Sequence, residues 1–218
     1  MTKEKILAYL AETPHNTNPM IVSQMIDELL ITSLVSSKEE LTAALQKGGD
    51  IALTNDVEVE ADIVITANTK LDMNGKKLIA AENHSGWYML KADNAELVIS
   101  GKGLISAGNS EKAIPVTATN NAKVVILDGE YACRGDLQCV YANGGKVEIH
   151  GGLYRVVEGQ KVKDLLNVQN TKDVADIQVY GGTFVGRDPA LGDDALGGSF
   201  VAEGYRSVNM GNNTFVVM

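Results

Sequence analysis

The sequence predicts a mainly β protein, a right-handed parallel β-helix (a solenoid) preceded by short N-terminal α-helices. Apolar residues recur with a helical period up to about residue 48 and with a period of two from Asp50 onward. A strand-like segment also recurs at intervals of 23 to 30 residues, which is the period of a solenoid. We therefore predict a helical segment at 1–33, a capping helix and linker at 34–49, and the parallel β-helix at 50–218.

The composition narrows the class of protein before any motif is considered. Gly occurs 22 times and Pro only 4 times in 218 residues, a balance that suits many tight turns. The net charge of −9 and the scattered arginines argue against a nucleic-acid partner, because phosphate neutralisation needs clustered Lys and Arg. No apolar stretch approaches the ~18 residues of a membrane helix, and no signal-type apolar block follows Met1–Lys5. These features predict a soluble protein made in a cytoplasm, with neither a nucleic-acid nor a membrane partner.

Two helices are predicted before residue 31. Residues 3–12 place apolar side chains on one face, and Thr13 ends this helix because the residue before a proline avoids the helical region. Asn18 is then a suitable N-cap, with Pro19 at the first helical position. The second helix carries a broad apolar stripe, formed by Ile21, Val22, Met25, Ile26, Leu29 and Leu30. A hairpin of this size is too small to bury both faces alone, so we predict that the stripe docks on a partner or on symmetry mates.

A third helix is predicted where the pattern changes. Ser37 and Glu40 form a capping box, and Leu41 and Leu45 lie on one side of the helix that follows. Gly48 stands where a left-handed C-cap favours glycine. Because the open end of a solenoid exposes strand edges, we expect this helix to cap the first turn.

Five copies of one strand-like segment carry the repeat. The close copies are Lys123–Tyr131, Lys146–Tyr154 and Asp176–Phe184, and the looser ones are Lys70–Gly75 and Glu96–Gly101. Their first apolar residues, at positions 71, 97, 124, 147 and 177, are separated by 26, 27, 23 and 30 residues. A propeller blade needs ~40 to 45 residues, and the Leu and Asn frame of leucine-rich repeats is absent. A parallel β-helix with strands of three to five residues remains, and crossover connections of parallel strands are right-handed as a rule.

The alternation within each copy assigns side chains to the interior or to the surface. Two aliphatic stacks are predicted along the axis, from the inward pairs Leu97/Ile99, Val124/Ile126, Val147/Ile149 and Ile177/Val179. Tyr131, Tyr154 and Phe184 share one repeat position, and an aromatic ladder inside the solenoid is favoured over a sugar-binding platform. His150 is predicted to point outward, and glycines after the strands are predicted to form corners with positive φ.

Two stretches resemble known β-helix proteins. Ser37–Leu78 contains the run Leu-Thr-Ala-Ala-Leu-Gln-Lys-Gly-Gly-Asp-Ile-Ala-Leu-Thr-Asn-Asp-Val and resembles the opening of pectate-lyase-like β-helix proteins. The end of the chain, Phe200–Val208 with Gly211–Val217, resembles the last coil of surface and phage members of that group. The resemblance implies the fold and implies no particular activity.

The N-terminal segment resembles a different group. Ala8–Pro19, which has the sequence Ala-Tyr-Leu-Ala-Glu-Thr-Pro-His-Asn-Thr-Asn-Pro, resembles the N-terminal segment of tailed-phage head fibre proteins. This resemblance implies attachment to a phage capsid protein at the virion surface, with the distal part projecting outward, commonly as a trimer. The residues predicted to form the capsid anchor or oligomer contact are Tyr9, Thr13, Pro14, Asn16, Asn18, Pro19, Met25, Ile26 and Leu29.

Candidate catalytic residues are sparse. The three histidines, His15, His84 and His150, do not lie in a repeat of Asp-rich strands, whereas β-helix hydrolases combine converging Asp residues with a His. Arg187–Asp194 contains three carboxylates but lacks the alternating ligand spacing of a calcium loop, so a solvated loop is favoured. We predict no catalytic residue, no cofactor and no metal site.

The two cysteines flank a tripeptide that imitates an adhesion motif. Cys133 and Cys139 bracket Arg134-Gly-Asp136, and two cysteines form neither a disulfide framework nor a zinc site. An inter-strand turn with one or two buried cysteines is the favoured interpretation.

The predicted function is that of a structural virion protein without enzymatic activity. It is a capsid-attached head fibre or decoration subunit that displays a β-helix, with a host-surface glycan as a further partner. The alternative is a carbohydrate-active β-helix, either a tail-spike depolymerase or a glycan-binding module. A bacterial surface adhesin is disfavoured because no export signal is present.

Overall fold

The computed structural model describes residues 32–169, 175–192 and 198–218. The elements in chain order are β1 (Ser33–Val35), α1 (Lys38–Lys47), β2 (Gly49–Leu53), β3 (Val57–Ile65), β4 (Thr69–Asp72), β5 (Lys77–Asp93), β6 (Glu96–Ser100), β7 (Leu104–Ser106), β8 (Ile114–Thr119), β9 (Lys123–Ile126), β10 (Glu130–Cys133), β11 (Val140–Asn143), β12 (Lys146–Ile149), β13 (Leu153–Val156), β14 (Leu166–Val168), β15 (Asp176–Val179), β16 (Gly182–Val185), β17 (Ser207–Gly211) and β18 (Thr214–Val217).

Parallel pairing between successive turns builds a β-solenoid of about five turns. The first sheet has the strand order β1-β2-β4-β6-β9-β12-β15. The second sheet bends, because β5 pairs with β7 along its first part and with β8 along its last part. The prediction of a mainly β solenoid is confirmed, and its right hand stays a prediction. The predicted strand length of three to five residues is wrong for β3, β5 and β8, which have 9, 17 and 6 residues.

An aliphatic stack in the first sheet carries the predicted repeat. Val147 is the Cα partner of both Val124 and Ile177 on the neighbouring strands, and Leu97 continues the stack. These four side chains are at most 1% exposed. Because stacked side chains of this type remove their apolar surface from water, the repeated residues stabilise the fold.

The register at the first copy differs from the predicted one. Leu71 pairs with Ile99 rather than with Leu97, and Thr69 lies beside Leu97 instead. A shift of two residues leaves every side chain on the same face of the strand. The apolar alternation alone therefore left this register undetermined.

The predicted aromatic ladder lies inside the solenoid. Tyr154 stacks on Tyr131 and on Phe184, with ring centroids 5.0 and 4.8 Å apart, and all three side chains are fully buried. The Tyr154 hydroxyl donates a hydrogen bond to the Gly151 carbonyl at 2.9 Å, and burial raises the pKa of this phenol. Gly152 has a φ of +99°, and a Cβ there would lie 3.2 Å from the Tyr154 hydroxyl, so the corner requires glycine.

The predicted capping helix is confirmed as α1. The Ser37 hydroxyl accepts a hydrogen bond from the Glu40 backbone N–H, and Gly48 ends the helix with a φ of +80°. Leu41 and Leu45 are buried in the solenoid core. The sequence did not predict β1, which precedes the helix and pairs in parallel with β2.

The predicted parallel pairing is wrong for the last strands. β18 pairs antiparallel with both β16 and β17, so the chain ends in a hairpin. Asn212 and Asn213 both have positive φ, at 49° and 57°, as a type I′ turn requires. The hairpin covers the edge of β16, which would otherwise be open to pairing with another chain.

Candidate functional site

The predicted anchor lies outside the described residues. All nine of its residues, from Tyr9 to Leu29, fall within 1–31, as do the two helices predicted there. The anchor and these helices therefore stay predictions, and the site that the structure describes is on the solenoid.

Loops of unequal length project from one corner of the solenoid, which we name the loop corner. It consists of residues 107–113, 134–139 and 157–165, which join successive strands across the bend of the second sheet. β5 is irregular at the same corner. Val59 of β3 pairs with Ala80 and Ile63 pairs with Leu90, so ten residues of β5 lie opposite four residues of β3. Insertions in solenoids commonly map to one face, and that face is often the binding face.

The loop corner contains a groove of about 550 Å³, which we name the corner groove. Three successive turns contribute its lining: residues 82–84 of β5, residues 109–112 of the next turn, and Arg134 of the turn after that. The lining is polar throughout, with carboxylate, amide, hydroxyl, imidazole, ammonium and guanidinium groups. Such a groove suits a ligand that is itself polar.

His84 is a buried residue in the lining of this groove. The residue is 5% exposed, and neither ring nitrogen has a hydrogen-bond partner of good geometry among the described residues. Burial lowers the pKa of the imidazole, and the Asp62 carboxylate and the Ala61 carbonyl oppose this effect. The ring is therefore neutral near pH 7, with one donor and one acceptor nitrogen.

Asp62 approaches this part of β5 because residue 86 is a glycine. Its Oδ1 accepts a hydrogen bond from the Tyr88 backbone N–H at 3.0 Å. A Cβ on Gly86 would lie 2.0 Å from the same oxygen. Gly86 thus makes room for a carboxylate that fixes the distorted strand between His84 and Tyr88.

Trp87 and Lys112 border the corner groove. The Trp87 side chain is 52% exposed, and the Lys112 Nζ lies 5.3 Å from the centre of its ring. Lys112 also lines the groove, so it connects the groove with the indole. Arg134 also lines the groove, and its Nε is buried without a hydrogen-bond partner in the described part of the chain.

The Arg134-Gly-Asp136 tripeptide lies in a turn between β10 and β11, as predicted. Cys133 and Cys139 are both buried and free. The Cys139 thiol contacts the Tyr131 and Arg155 carbonyl oxygens at 3.3 Å, and burial raises its pKa well above the usual value. Both cysteines are core residues of this turn, and the protonated Cys139 thiol is a poor nucleophile.

Other aromatic side chains decorate the outside of the solenoid. His150 points outward, as predicted, and its ring stacks on Tyr180 at 4.7 Å. Tyr205 meets Tyr180 edge-on at 5.4 Å. These three rings pack on one another outside the solenoid and away from the corner groove.

The loop that sequence analysis considered for calcium is only partly described. Asp188 accepts a hydrogen bond from the Ala190 backbone N–H at 2.9 Å, and Arg187 pairs with Asp164 at 3.8 Å. Asp193 and Asp194 lie outside the described residues. Within the described ranges, no group of three or more His, Cys, Asp or Glu side chains is arranged to hold a metal ion.

The corner groove was not predicted from the sequence, which assigned no role to Trp87 beyond a sparse aromatic pair and none to His84. The available signal was the break in strict alternation at residues 82–87, where several polar residues interrupt an apolar strand. The chain matches no protein-family model, no curated protein and no solved structure at a significant level. Among the helices of the described residues, none is long and apolar enough to cross a membrane.

Proposed function

We propose that this chain is a structural, non-enzymatic protein of a bacteriophage particle, a head fibre or capsid decoration subunit that displays its solenoid outward. The observation that carries the proposal is the capped, regular solenoid joined to an N-terminal segment that resembles a capsid anchor. Stacks that continue from turn to turn suit a stiff projecting body, because each turn is hydrogen-bonded to the next along both sheets. The helix α1 at one end and the β17–β18 hairpin at the other protect strand edges.

Residues 1–33 attach the solenoid to a capsid protein in this proposal. The apolar residues Met25, Ile26 and Leu29 supply a surface that attachment buries, and Pro14 and Pro19 restrict the polar loop before them. The same segment assembles a homotrimer, which places three solenoids at one point on the virion surface.

A capsid-binding experiment tests the proposal, using purified particles of the encoding phage that lack this chain. We expect the full chain to bind, residues 32–218 to fold without binding, and Met25→Glu to bind weakly, because a charge enters a surface that attachment must dry. Tyr205→Ala changes an exposed aromatic residue of the solenoid and is the matched control, with binding like that of the wild type. Particles fully decorated by residues 32–218 would contradict the proposal, and light scattering shows whether the truncation also dissociates a trimer.

A carbohydrate-active solenoid is the second candidate, and the corner groove favours it. Glu82 and Glu111 bring two carboxylates to one polar cleft, and glycoside hydrolysis commonly uses such a pair. The test is release of reducing ends from the host's surface polysaccharide by the pure protein. Release that Glu82→Gln and Glu111→Gln both abolish would establish this function, whereas release that both variants retain would not involve the groove.

A further inference from the structure

We propose that the corner groove binds a neutral, hydroxyl-rich saccharide, with Trp87 as the surface on which a sugar ring stacks. The inference rests on the proposed display function for its biological purpose, since an outward-facing solenoid presents the groove to host glycans. Its physical argument rests on the groove itself.

The size and lining of the corner groove suit a short saccharide. Its volume of about 550 Å³ falls within the range of about 300 to 1,000 Å³ that small-molecule sites occupy. Most such sites are lined by apolar side chains, whereas this one is lined by planar polar groups such as Asn83, Asn109 and Glu82. Amides and carboxylates of this kind exchange hydrogen bonds with the hydroxyl groups of a sugar.

Two buried polar groups in the lining are left without partners. The His84 nitrogens and the Arg134 Nε are buried and have no hydrogen-bond partner of good geometry among the described residues, although the Ala61 carbonyl interacts with the His84 ring. An unsatisfied buried polar group costs free energy, and native structures rarely keep one without a reason. A ligand with many hydroxyl groups supplies both the donors and the acceptors that these side chains lack.

The charges of the lining favour a neutral ligand. Glu82 and Glu111 are balanced by Lys112 and Arg134, so the groove has no excess of either sign. An anionic polysaccharide would also meet the net charge of −9 of the chain, which repels it at long range. Charged side chains in such a groove serve as strong hydrogen-bonding groups for hydroxyls.

Trp87 supplies the apolar contact that the groove lacks. Half of its side chain is exposed, and the nearby Lys112 belongs to the groove lining. An indole is large and rigid, and it carries a polar N–H at one edge. A sugar ring that lies against the indole therefore places its hydroxyl groups toward the polar lining.

The experiment uses Trp87 as its own reporter, because it is the single tryptophan of the chain. Its fluorescence in the full chain is titrated with neutral oligosaccharides of glucose, galactose, mannose, rhamnose and N-acetylglucosamine, and with polygalacturonate as the charged comparison. We expect a saturable change with at least one neutral oligosaccharide and none with polygalacturonate. No saturable change with any neutral member, or binding of polygalacturonate alone, would overturn the inference.

Matched variants locate the binding. Glu82→Gln and Asn109→Ala alter exposed groove residues and should each weaken binding about ten-fold. Glu203→Gln and Tyr205→Ala alter exposed residues outside the groove and should leave it unchanged. Trp87→Ala, followed by calorimetry, should also weaken binding about ten-fold, and equal affinity in the groove variants and the wild type would overturn the site.

The outcome separates this inference from the proposed function. Glu82→Gln leaves residues 1–33 intact, so it should still bind capsids when saccharide binding is weakened. If the chain binds capsids but no neutral saccharide, the groove inference is wrong and the display function is retained. If the chain instead binds a saccharide but does not bind capsids, the groove inference is supported and the display function is contradicted.

Discussion

The first sheet and the loop corner follow different rules. In the first sheet, β9, β12 and β15 match residue for residue, and Val147 lies buried between Val124 and Ile177. At the loop corner, residues 107–113, 134–139 and 157–165 differ in length from one turn to the next. An inserted residue in a strand turns every later side chain to the opposite face, whereas an inserted loop residue costs only a small closure entropy. Burial therefore constrains the length and register of the strands in the sheet, whereas the loops at the corner can vary in length.

The unpartnered polar atoms follow this division. Four side chains carry buried polar atoms without a hydrogen-bond partner of good geometry among the described residues: His84, Thr117, Arg134 and Ser207. Of these, His84 and Arg134 line the corner groove. Over the same turns the stacks of the first sheet are aliphatic apart from Thr69, whose hydroxyl donates a hydrogen bond to the Ala67 carbonyl. Two of the four described side chains with such atoms therefore lie at the corner groove, and none lies in the first sheet.

The largest expected effect comes from a charge inside the first sheet. Val147→Asp and Ile149→Asp should each destabilise the fold by several kcal/mol, on the order of 4 or more, because the carboxylate is buried without a partner. Glu148→Gln, between them and facing outward, should cost far less. Thermal and urea unfolding of the three variants measures the difference, and equal losses would show that the assignment of alternate faces is wrong.

The sequence predicts the first sheet well and the corner poorly for a physical reason. The inward Val and Ile residues at 124/126, 147/149 and 177/179 encode burial directly, so the solenoid, the stack and the Tyr131 ladder were all predictable. The register at Leu71 was missed because a two-residue shift preserves the alternation. The corner groove was missed because its residues come from three turns, and only the folded chain brings Glu82, Asn109 and Arg134 together.

The next largest effect compares the inner and outer aromatic stacks. Tyr154 is fully buried between Tyr131 and Phe184, whereas Tyr180 stacks on His150 at the surface. Tyr154→Ala should cost about 3 to 5 kcal/mol, because it leaves a cavity in the core. Tyr180→Ala should cost about 1 kcal/mol, the value of an exposed aromatic contact. Denaturant unfolding measures both, and a larger loss from the outer residue would reverse the assignment of inside and outside.

A smaller effect comes from His84 at the loop corner and depends on pH. Its pKa in the folded chain is lowered, chiefly by burial, so below about pH 6.5 the unfolded chain binds a proton that the folded chain resists. The free energy of unfolding should fall as the pH decreases from 7.5 to 5.5, by at most about 1.4 kcal/mol per pH unit from this residue. His84→Gln should remove this contribution.

His150→Gln is the matched control for that experiment, because it changes an exposed histidine and leaves His84 in place. Its dependence on pH should remain steeper than that of His84→Gln. Urea unfolding at several pH values measures both slopes. If His84→Gln kept the full slope of the wild type, the lowered pKa of His84 would not be its source.

The smallest effect comes from the outer face of the first sheet. The Lys123 Nζ lies 2.9 Å from the Glu148 carboxylate, and both side chains are partly exposed. The hydrogen bond from Lys123 is the main cause of the lowered pKa of Glu148. Glu148→Gln should therefore cost about 0.2 to 1 kcal/mol at pH 7 and less in 1 M salt, since water and ions screen an exposed pair.

The pH dependence gives this last prediction its sign. A carboxyl group with a lowered folded pKa stabilises the fold above its unfolded value, near 4.5, and loses that contribution as the pH falls through the folded pKa. The difference between the wild type and Glu148→Gln should accordingly shrink between pH 5 and pH 3, as measured by urea unfolding. A difference that instead grew toward low pH, or that approached the cost of Val147→Asp, would mean that Glu148 is buried. The first sheet would then not have a buried face that is sensitive to substitution and an outer face that accepts it.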